Sequence, residues 1–273
     1  VYVNDGSKDS TWDEICRVVA LGKKELKNDK VKGVGFSRNF GKEAAILAGL
    51  ANASGDACVV MDCDLQHPTE TLVEMYKLWQ AGYEVVEGVK RSRGKEGIVY
   101  KSSAKLFYRL MSKATGIDMS RASDFKLLDR KVVKSILSMP ERNMFFRGLS
   151  SWVGFKKTEV QFDVKERQVG ESKWSKWSLV KYAVKNIAAF STVPMQFVTI
   201  AGALTFLGTL ILGIQTLVRY FSGHAVQGFT TVILLVLIIG SVVMTSLGIM
   251  GYYIAKIYEE VKRRPVYIIS EVI

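Results

Sequence analysis

Val60-Met61-Asp62-Cys63-Asp64-Leu65-Gln66-His67-Pro68 is an apolar run that ends in two carboxylates one residue apart. The residues before it, Ala57 to Met61, are short, apolar and β-branched, and they follow the turn Ser54-Gly55-Asp56, so they predict a buried strand. Asp62 and Asp64 then leave at its carboxyl end. In an open α/β sheet that edge is where ligands bind, and hard oxygen donors there suit Mg²⁺ or Mn²⁺ shared with substrate phosphates. A bare Asp-x-Asp triplet has an ordinary explanation as well: Pro68 opens a helix, and Asp64, Gln66 or His67 would belong to its capped entry loop.

Outward from this stretch the chain alternates. Val1 to Val3 reads as a strand end, Ser10 to Leu26 as a helix, Val31 to Phe36 as a strand and Gly41 to Ala53 as a helix. After the Asp-x-Asp strand come a helix from Pro68 to Gln80 and a strand from Glu84 to Val89. This βαβαβαβ order predicts a Rossmann-like α/β fold with a mainly parallel sheet. The pattern begins at a strand end, so a preceding strand and helix are expected to be missing from the sequence.

The second half is different in kind. From Asn186 to Val218 and from Tyr220 to Ala255 there is no Lys, Arg, Asp or Glu. Each stretch is long enough, at about 1.5 Å per residue, to cross a hydrocarbon layer of about 30 Å. Two transmembrane helices are expected, over 193–218 and 229–254. Lys173, Lys176, Lys181 and Lys185 precede them and Lys256, Lys262, Arg263 and Arg264 follow, whereas the connecting loop has Arg219 and His224. That asymmetry predicts cytoplasmic termini and an outward loop from Tyr220 to Gly228.

The net charge of +12 fits attraction to anionic lipid and phosphate. No nucleic-acid-binding motif accompanies it, so no nucleic-acid partner is expected. Lys101, Lys105, Arg109 and Lys113 recur every four residues between 97 and 114, around Leu106, Phe107, Leu110 and Met111. This basic amphipathic pattern suits either a solvated face over a core stripe or an interfacial helix on headgroups. Trp174 to Phe190 is a second candidate with aromatic anchors. Cys16, Cys58 and Cys63 lack metal-ligand spacing and read as reduced thiols.

Four segments then line up in order: Val3-Asn4-Asp5-Gly6-Ser7-Lys8-Asp9-Ser10-Thr11, Arg38-Asn39-Phe40-Gly41-Lys42-Glu43-Ala44-Ala45, the Asp62 to Pro68 stretch, and Arg167-Gln168-Val169-Gly170-Glu171-Ser172-Lys173-Trp174. Together they resemble the inverting family 2 glycosyltransferases of GT-A fold. More closely they are similar to the polyprenyl-phosphate glycosyltransferases, and among these to the bacterial prophage-type branch acting on undecaprenyl phosphate. The resemblance covers nearly the whole chain. It implies a catalytic domain over 1–165, a juxtamembrane loop and amphipathic helix over 166–192, a transmembrane hairpin over 193–254 and a basic cytoplasmic tail over 255–273. It further implies a multi-pass protein of the bacterial inner membrane that moves a hexose from a nucleotide diphosphate sugar to a polyprenyl phosphate.

Residue by residue, the resemblance assigns Asp5, Asn39, Lys42 and Asp62 to the nucleotide-sugar donor. Read alone, Asp5 would be a turn former capping the helix near Ser10 or Thr11. Arg38 to Lys42 would place backbone N–H groups and a cation at a helix N-terminus, a ready phosphate site. Asp62, Asp64 and Gln66 match the metal and diphosphate motif, with Asp64 the direct ligand of Mg²⁺ or Mn²⁺ and Asp62 turned to ribose or metal. Asp124, in Ser123-Asp124-Phe125-Lys126, is the acidic residue near sugar and acceptor, a base or a holder of a sugar hydroxyl, while Asp129 is expected to cap the next helix. Arg91, Arg93, Arg147, Arg167, Ser172 and Lys173 are expected to hold the lipid phosphate and the diphosphate.

Glucose from UDP-glucose is the first expected donor, with N-acetylglucosamine, mannose and an aminoarabinose derivative behind it. Two rival readings are a processive polysaccharide synthase and a non-catalytic lipid-binding scaffold. The first expects Gln-x-x-Arg-Trp, yet Gln168 is followed by Val169-Gly170-Glu171; the second expects loss of the acidic residues, yet Asp5, Asp62 and Asp64 are present. Ser241, Thr245 and Gly248 are small enough to pack helices together, which leaves a homo-oligomer open.

Overall fold

A computed structural model describes residues 1–25, 30–64, 66–91, 123–139, 141, 145–163, 193–223 and 228–273. The amphipathic segments 97–114 and 174–190 and the juxtamembrane loop lie outside these residues. The described chain divides into two units, one holding 1–163 together with 263–273 and the other 193–262.

In the first unit the elements follow in the order β1 (Tyr2–Asn4), α1 (Thr11–Glu25), β2 (Gly33–Phe36), α2 (Lys42–Asn52), β3 (Ala57–Val60), α3 (Thr69–Gln80) and β4 (Val85–Lys90). Then come β5 (Lys126–Asp129), α4 (Arg130–Leu137), α5 (Phe146–Trp152) and β6 (Lys157–Phe162). Side-chain carboxylates cap two of these helices, at Asp9 and, as expected, at Asp129. Asp9 Oδ1 accepts from Thr11 N (3.1 Å) at the start of α1, which carries Asp13 and Glu14 in its first turn and Lys23 and Lys24 in its last. Asp129 caps α4 by accepting from Lys131 N at 2.9 Å.

The strands form two sheets, β1-β2-β7 and β3-β5-β4-β6. The pairing is mixed rather than mainly parallel. β1 with β2 and β4 with β6 are parallel, but β5 lies antiparallel between β3 and β4, with Val60 opposite Lys126 and Ala57 opposite Asp129. The reason lies in the connections. α1 returns β2 parallel to β1, and β3 and β4, on either side of α3, both run antiparallel to β5 and so share a direction, whereas β5 arrives after the long stretch 91–125, which imposes no such return.

Alternation along the second sheet sorts its core. Val86, Leu127 and Phe125 pack with Met75 of α3 and with Val160 and Phe162. On the other side Val85 and Leu128 meet Leu47 and Leu50 of α2, Val132, Val133 and Ile136 of α4 and Phe146 of α5. The first sheet buries Val34 and Phe36 against Ala44 and Ala48 of α2, so this one helix serves both cores.

The second unit consists of α6 (Val193–Phe221) and α7 (Phe229–Val261). Met195–Phe221 and Leu234–Val261 have mean hydropathies of 2.2 and 2.3 and are long and apolar enough to cross a membrane; neither window is buried inside the protein. Leu204, Phe206, Ile211, Val236, Met244 and Ile254 are all exposed, which is the composition of a lipid-facing hairpin rather than a core.

The segment read from its charges as a basic tail behaves differently from a tail. Its last part, β7 (Ile269–Val272), pairs antiparallel with β2 and belongs to the first unit. The cations Lys262, Arg263 and Arg264 precede it, and the aromatic and β-branched residues Tyr267, Ile268, Ile269 and Val272 are the strand signal those charges overshadow.

Candidate functional site

The carboxyl ends of β1, β2 and β3 deliver Asp5, the Arg38–Gly41 loop and Asp62 to one region, and the antiparallel direction of β5 adds a fourth group. Because Lys126 pairs with Val60, Asp124 enters beside the carboxyl end of β3. Lys42, the first residue of α2, joins the two carboxylates: its Nζ lies 2.8 Å from Asp62 Oδ1 and 2.8 Å from Asp124 Oδ2. Arg147 on α5 grips Asp124 with two parallel bonds, Nε to Oδ1 and Nη2 to Oδ2, both 2.7 Å.

The resulting row Asp62–Lys42–Asp124–Arg147 alternates in charge, and its inner members are electrostatically locked. Burial opposes ionisation of Asp124, but the Arg147 guanidinium and the Lys42 ammonium outweigh it and hold the carboxyl well below the usual carboxylate range. Burial likewise opposes the charge on Lys42, and Asp124 and Asp62 reverse the balance and raise its pKa. Asp124 is therefore a permanent anion at neutral pH, suited to holding two cations and a hydroxyl rather than to taking a proton.

Asp5 holds the Arg38–Gly41 loop. Its Oδ1 accepts from Phe40 N (2.6 Å) and its Oδ2 from Gly41 N (2.9 Å), so it fixes the entrance to α2. The cap at the start of α1, for which Asp5 was one candidate, is Asp9 instead. Two glycines make this approach feasible. Gly6 (φ +65°) lets the turn after β1 lie against Arg38, whose carbonyl carbon would sit 2.4 Å from an added Cβ, and Gly41 (φ +98°) turns the chain into α2. Asn39 is exposed on this loop, and its carbonyl accepts from Arg38 Nη1 at 3.2 Å.

Asp64 and Gln66 form an Asx turn, with Gln66 N donating to Asp64 Oδ1 at 3.2 Å. Behind it His67 packs on the rings of Phe125 (4.5 Å) and Phe162 (5.4 Å), which anchors the acidic loop to the core. Burial and the flanking Asp62 and Asp64 push the Cys63 thiol up, so it stays protonated. Among the described residues no group of three or more His, Cys, Asp or Glu gathers. Two hard carboxylates at one strand end still fit a cation such as Mg²⁺, which keeps several waters and takes its remaining oxygens from phosphates.

Two features escape sequence reasoning. Glu43, beside Lys42, is drawn inward and accepts from Phe146 N at 2.9 Å, tying α2 to α5. Burial, opposed by that amide and reinforced by Asp124, raises its pKa to about 7. The signal was a charged residue in a helix rich in Ala and Leu, but a first-turn Glu is explained equally well by the helix dipole. The second is a buried ion pair: Lys126, fully buried, contacts Glu87 Oε1 at 2.5 Å and Ser150 Oγ at 2.6 Å, and Ser150 donates to Arg147 O at 3.2 Å.

The remaining expected residues separate into two groups. Arg91 sits at the same sheet edge just after β4, where its Nη1 pairs with Asp163 Oδ2 at 3.1 Å. Arg93, Arg167, Ser172 and Lys173 lie outside the described residues.

Known proteins resemble this chain over nearly its whole length. The profile of "Glycosyl transferase family 2" matches residues 1–137. An uncharacterized glycosyltransferase of Synechocystis is 38% identical over 273 residues, covering 99% of this chain and 84% of its own. The prophage bactoprenol glucosyl transferase homolog of Escherichia coli K12 is 36% identical, covering 100% of this chain and 88% of its own. The SfII prophage-derived bactoprenol glucosyl transferase of Shigella flexneri is 38% identical, covering 99% and 86%. The solved glucosyl-3-phosphoglycerate synthase of Mycobacterium tuberculosis superposes with a TM-score of 0.42 at 18% identity, over 69% of this chain and 66% of its own. With its α/β mixed-sheet domain, its acidic strand end and these nearly full-length relatives, the chain belongs to glycosyl transferase family 2.

Proposed function

We propose that this glycosyltransferase moves glucose from UDP-glucose to a polyprenyl phosphate, with inversion at the anomeric carbon, at the cytoplasmic face of the bacterial inner membrane. The observation that carries the reading is the Asp62–Lys42–Asp124–Arg147 row at the sheet edge, in a chain that also contains two lipid-facing helices. The choice of sugar and lipid draws on the names of the Escherichia and Shigella relatives. GDP-mannose, UDP-N-acetylglucosamine and an aminoarabinose donor are the alternative donors. Positive flanks around the hairpin support cytoplasmic termini.

The chemistry asks little of a base. A phosphate monoester has a second pKa near 6, so the acceptor oxygen is already mostly ionised at neutral pH. The residues act by placement and charge. Asp5 orders the Phe40 and Gly41 amides around the donor loop, and Asn39 lines it. Lys42 and Arg147, held by Asp124, present fixed cations toward the donor diphosphate and the acceptor phosphate. Asp124 also accepts from a sugar hydroxyl. Arg91, Arg93, Arg167, Ser172 and Lys173 complete the phosphate contacts. Asp64 and Asp62, with Gln66 shaping their turn, would hold Mg²⁺ or Mn²⁺, which when bound supplies Lewis-acid compensation for charge on the departing diphosphate.

The test is incubation of the protein in membranes with labelled nucleotide sugars and undecaprenyl phosphate, with and without EDTA. A labelled glycolipid from UDP-glucose that is lost on chelation, and in Asp64→Ala, is the expected result. No glycolipid from any donor sinks the transferase reading, and a product that survives both treatments removes the metal role.

A further inference from the structure

We infer that the segment following the second apolar helix is a positioning element of the donor pocket, with Tyr267 as its acting side chain; the inference rests on the reading that Asp5 and the Arg38–Gly41 loop hold the nucleotide. α7 ends at Val261, and by Val266 the chain has joined the cores around α2, where Val266 and Tyr267 pack with Phe36, Ala44 and Ala48. The Tyr267 ring stacks on Phe36, with centroids 5.0 Å apart and planes at 13°. Phe36 in turn meets the edge of Phe40 at 5.7 Å and 88°. Phe40 carries the Arg38 guanidinium on its face at 4.1 Å and donates its N–H to Asp5. A continuous file of rings therefore leads from the C-terminal segment to the carboxylate that orders the donor loop.

The backbone contacts converge on the same point. Ser37 N donates to Ile268 O at 3.1 Å, and Ser270 Oγ donates to Gly35 O at 3.0 Å. The β2–β7 register shifts between Gly35 and Phe36, because Glu271 faces Gly35 while Ile269 faces Phe36. Ser270 is thus an extra residue on β7, and such a bulge turns the strand and re-aims the side chains beyond it. Tyr267 lies beyond it. At the other end of β7 the contacts are of another kind: Glu271 accepts from Trp12 Nε1 at 3.2 Å, and Gly33 and Ile273 exchange backbone bonds of 3.0 Å. That end joins the strand to the sheet, and the Tyr267 end sets the loop.

A stacked ring pair contributes enough that its loss shifts an equilibrium by roughly 3- to 10-fold. The experiment measures donor KM, acceptor KM and kcat of the full chain in membranes, with UDP-glucose and undecaprenyl phosphate as the probes. Tyr267→Ala is expected to raise the donor KM by roughly 3- to 10-fold and to leave the acceptor KM and kcat within about 2-fold, inside the scatter of such measurements. Tyr267→Phe, which keeps the ring, restores the wild-type value, and Glu271→Gln at the distal end leaves it unchanged. Tyr267→Leu, which keeps apolar bulk without a ring, is expected to share the donor defect even if the alanine variant folds poorly. An unchanged donor KM in Tyr267→Leu, a parallel rise of both KM values, or the same defect in Glu271→Gln overturns the inference. Asp5→Asn separates the two layers: a silent Asp5→Asn overturns the loop's role and the inference with it, whereas a raised donor KM there beside a silent Tyr267 series overturns the inference alone.

Discussion

At the scale of single residues the site is governed by who neutralises whom. Asp124 holds two cations, so removing its charge while keeping its shape releases both. Asp124→Asn is expected to lower kcat on the order of 100-fold, the loss typical of one positioned electrostatic group, with the circular dichroism spectrum retained. Glu43 makes the opposite kind of prediction. Its folded pKa of about 7 lies above the ordinary 4.5, so folding takes up a proton between those values. The stabilisation is fully present below about pH 4.5 and is lost as pH rises through about 7, an effect of roughly 3 kcal/mol for a shift of this size. Glu43→Gln should flatten the melting temperature across that window, and a wild-type melting temperature that does not fall there would refute the assignment. Neither partnership was legible in the sequence. Asp124, Lys42 and Arg147 were each identifiable as chemistry-bearing, but Arg147 is 23 positions from Asp124, and only folding shows that it grips that carboxylate.

At the scale of elements, β5 is the decisive strand. Of its features, the Asp129 cap that it supplies to α4 could be read from the sequence. Its direction could not, because nothing in the composition of a short strand distinguishes parallel from antiparallel pairing. The direction matters, since it brings Asp124 to the acidic edge and places Lys126 directly opposite Glu87. That buried pair carries its own prediction. Lys126→Met alone leaves Glu87 an uncompensated buried charge and is expected to cost about 3–5 kcal/mol, while the double variant with Glu87→Leu recovers most of the loss. Urea midpoints of the two variants measure it; equal destabilisation in both would show that the pair contributes mainly through packing. Because Ser150 links Lys126 to the Arg147 carbonyl, the element also serves as the floor under the site.

At the scale of the whole molecule, the sequence showed the two classes of material plainly: an alternating α/β part and a charge-free helical pair. It concealed how the chain closes, because the cations after α7 suggested a tail and β7 is four residues long. With β7 paired to β2, the apolar hairpin is an insertion in the sequence of the catalytic unit and not an appendix to it. The order of synthesis gives this a consequence. β2 leaves the ribosome early, but its partner strand follows only after both apolar helices have been made, a wait of roughly 10–50 s at about 5–20 residues per second. Throughout that interval β2 has an open edge of the kind that recruits other strands. Nascent chains stalled just before Ile269 should accordingly be cut by protease within the first unit, and chains extended far enough to bring β7 out of the ribosome should resist; equal resistance would mean that the unit closes without β7. Cutting of the stalled chains alone would put closure of the first unit after synthesis of the hairpin, so that the two events are ordered by the chain itself.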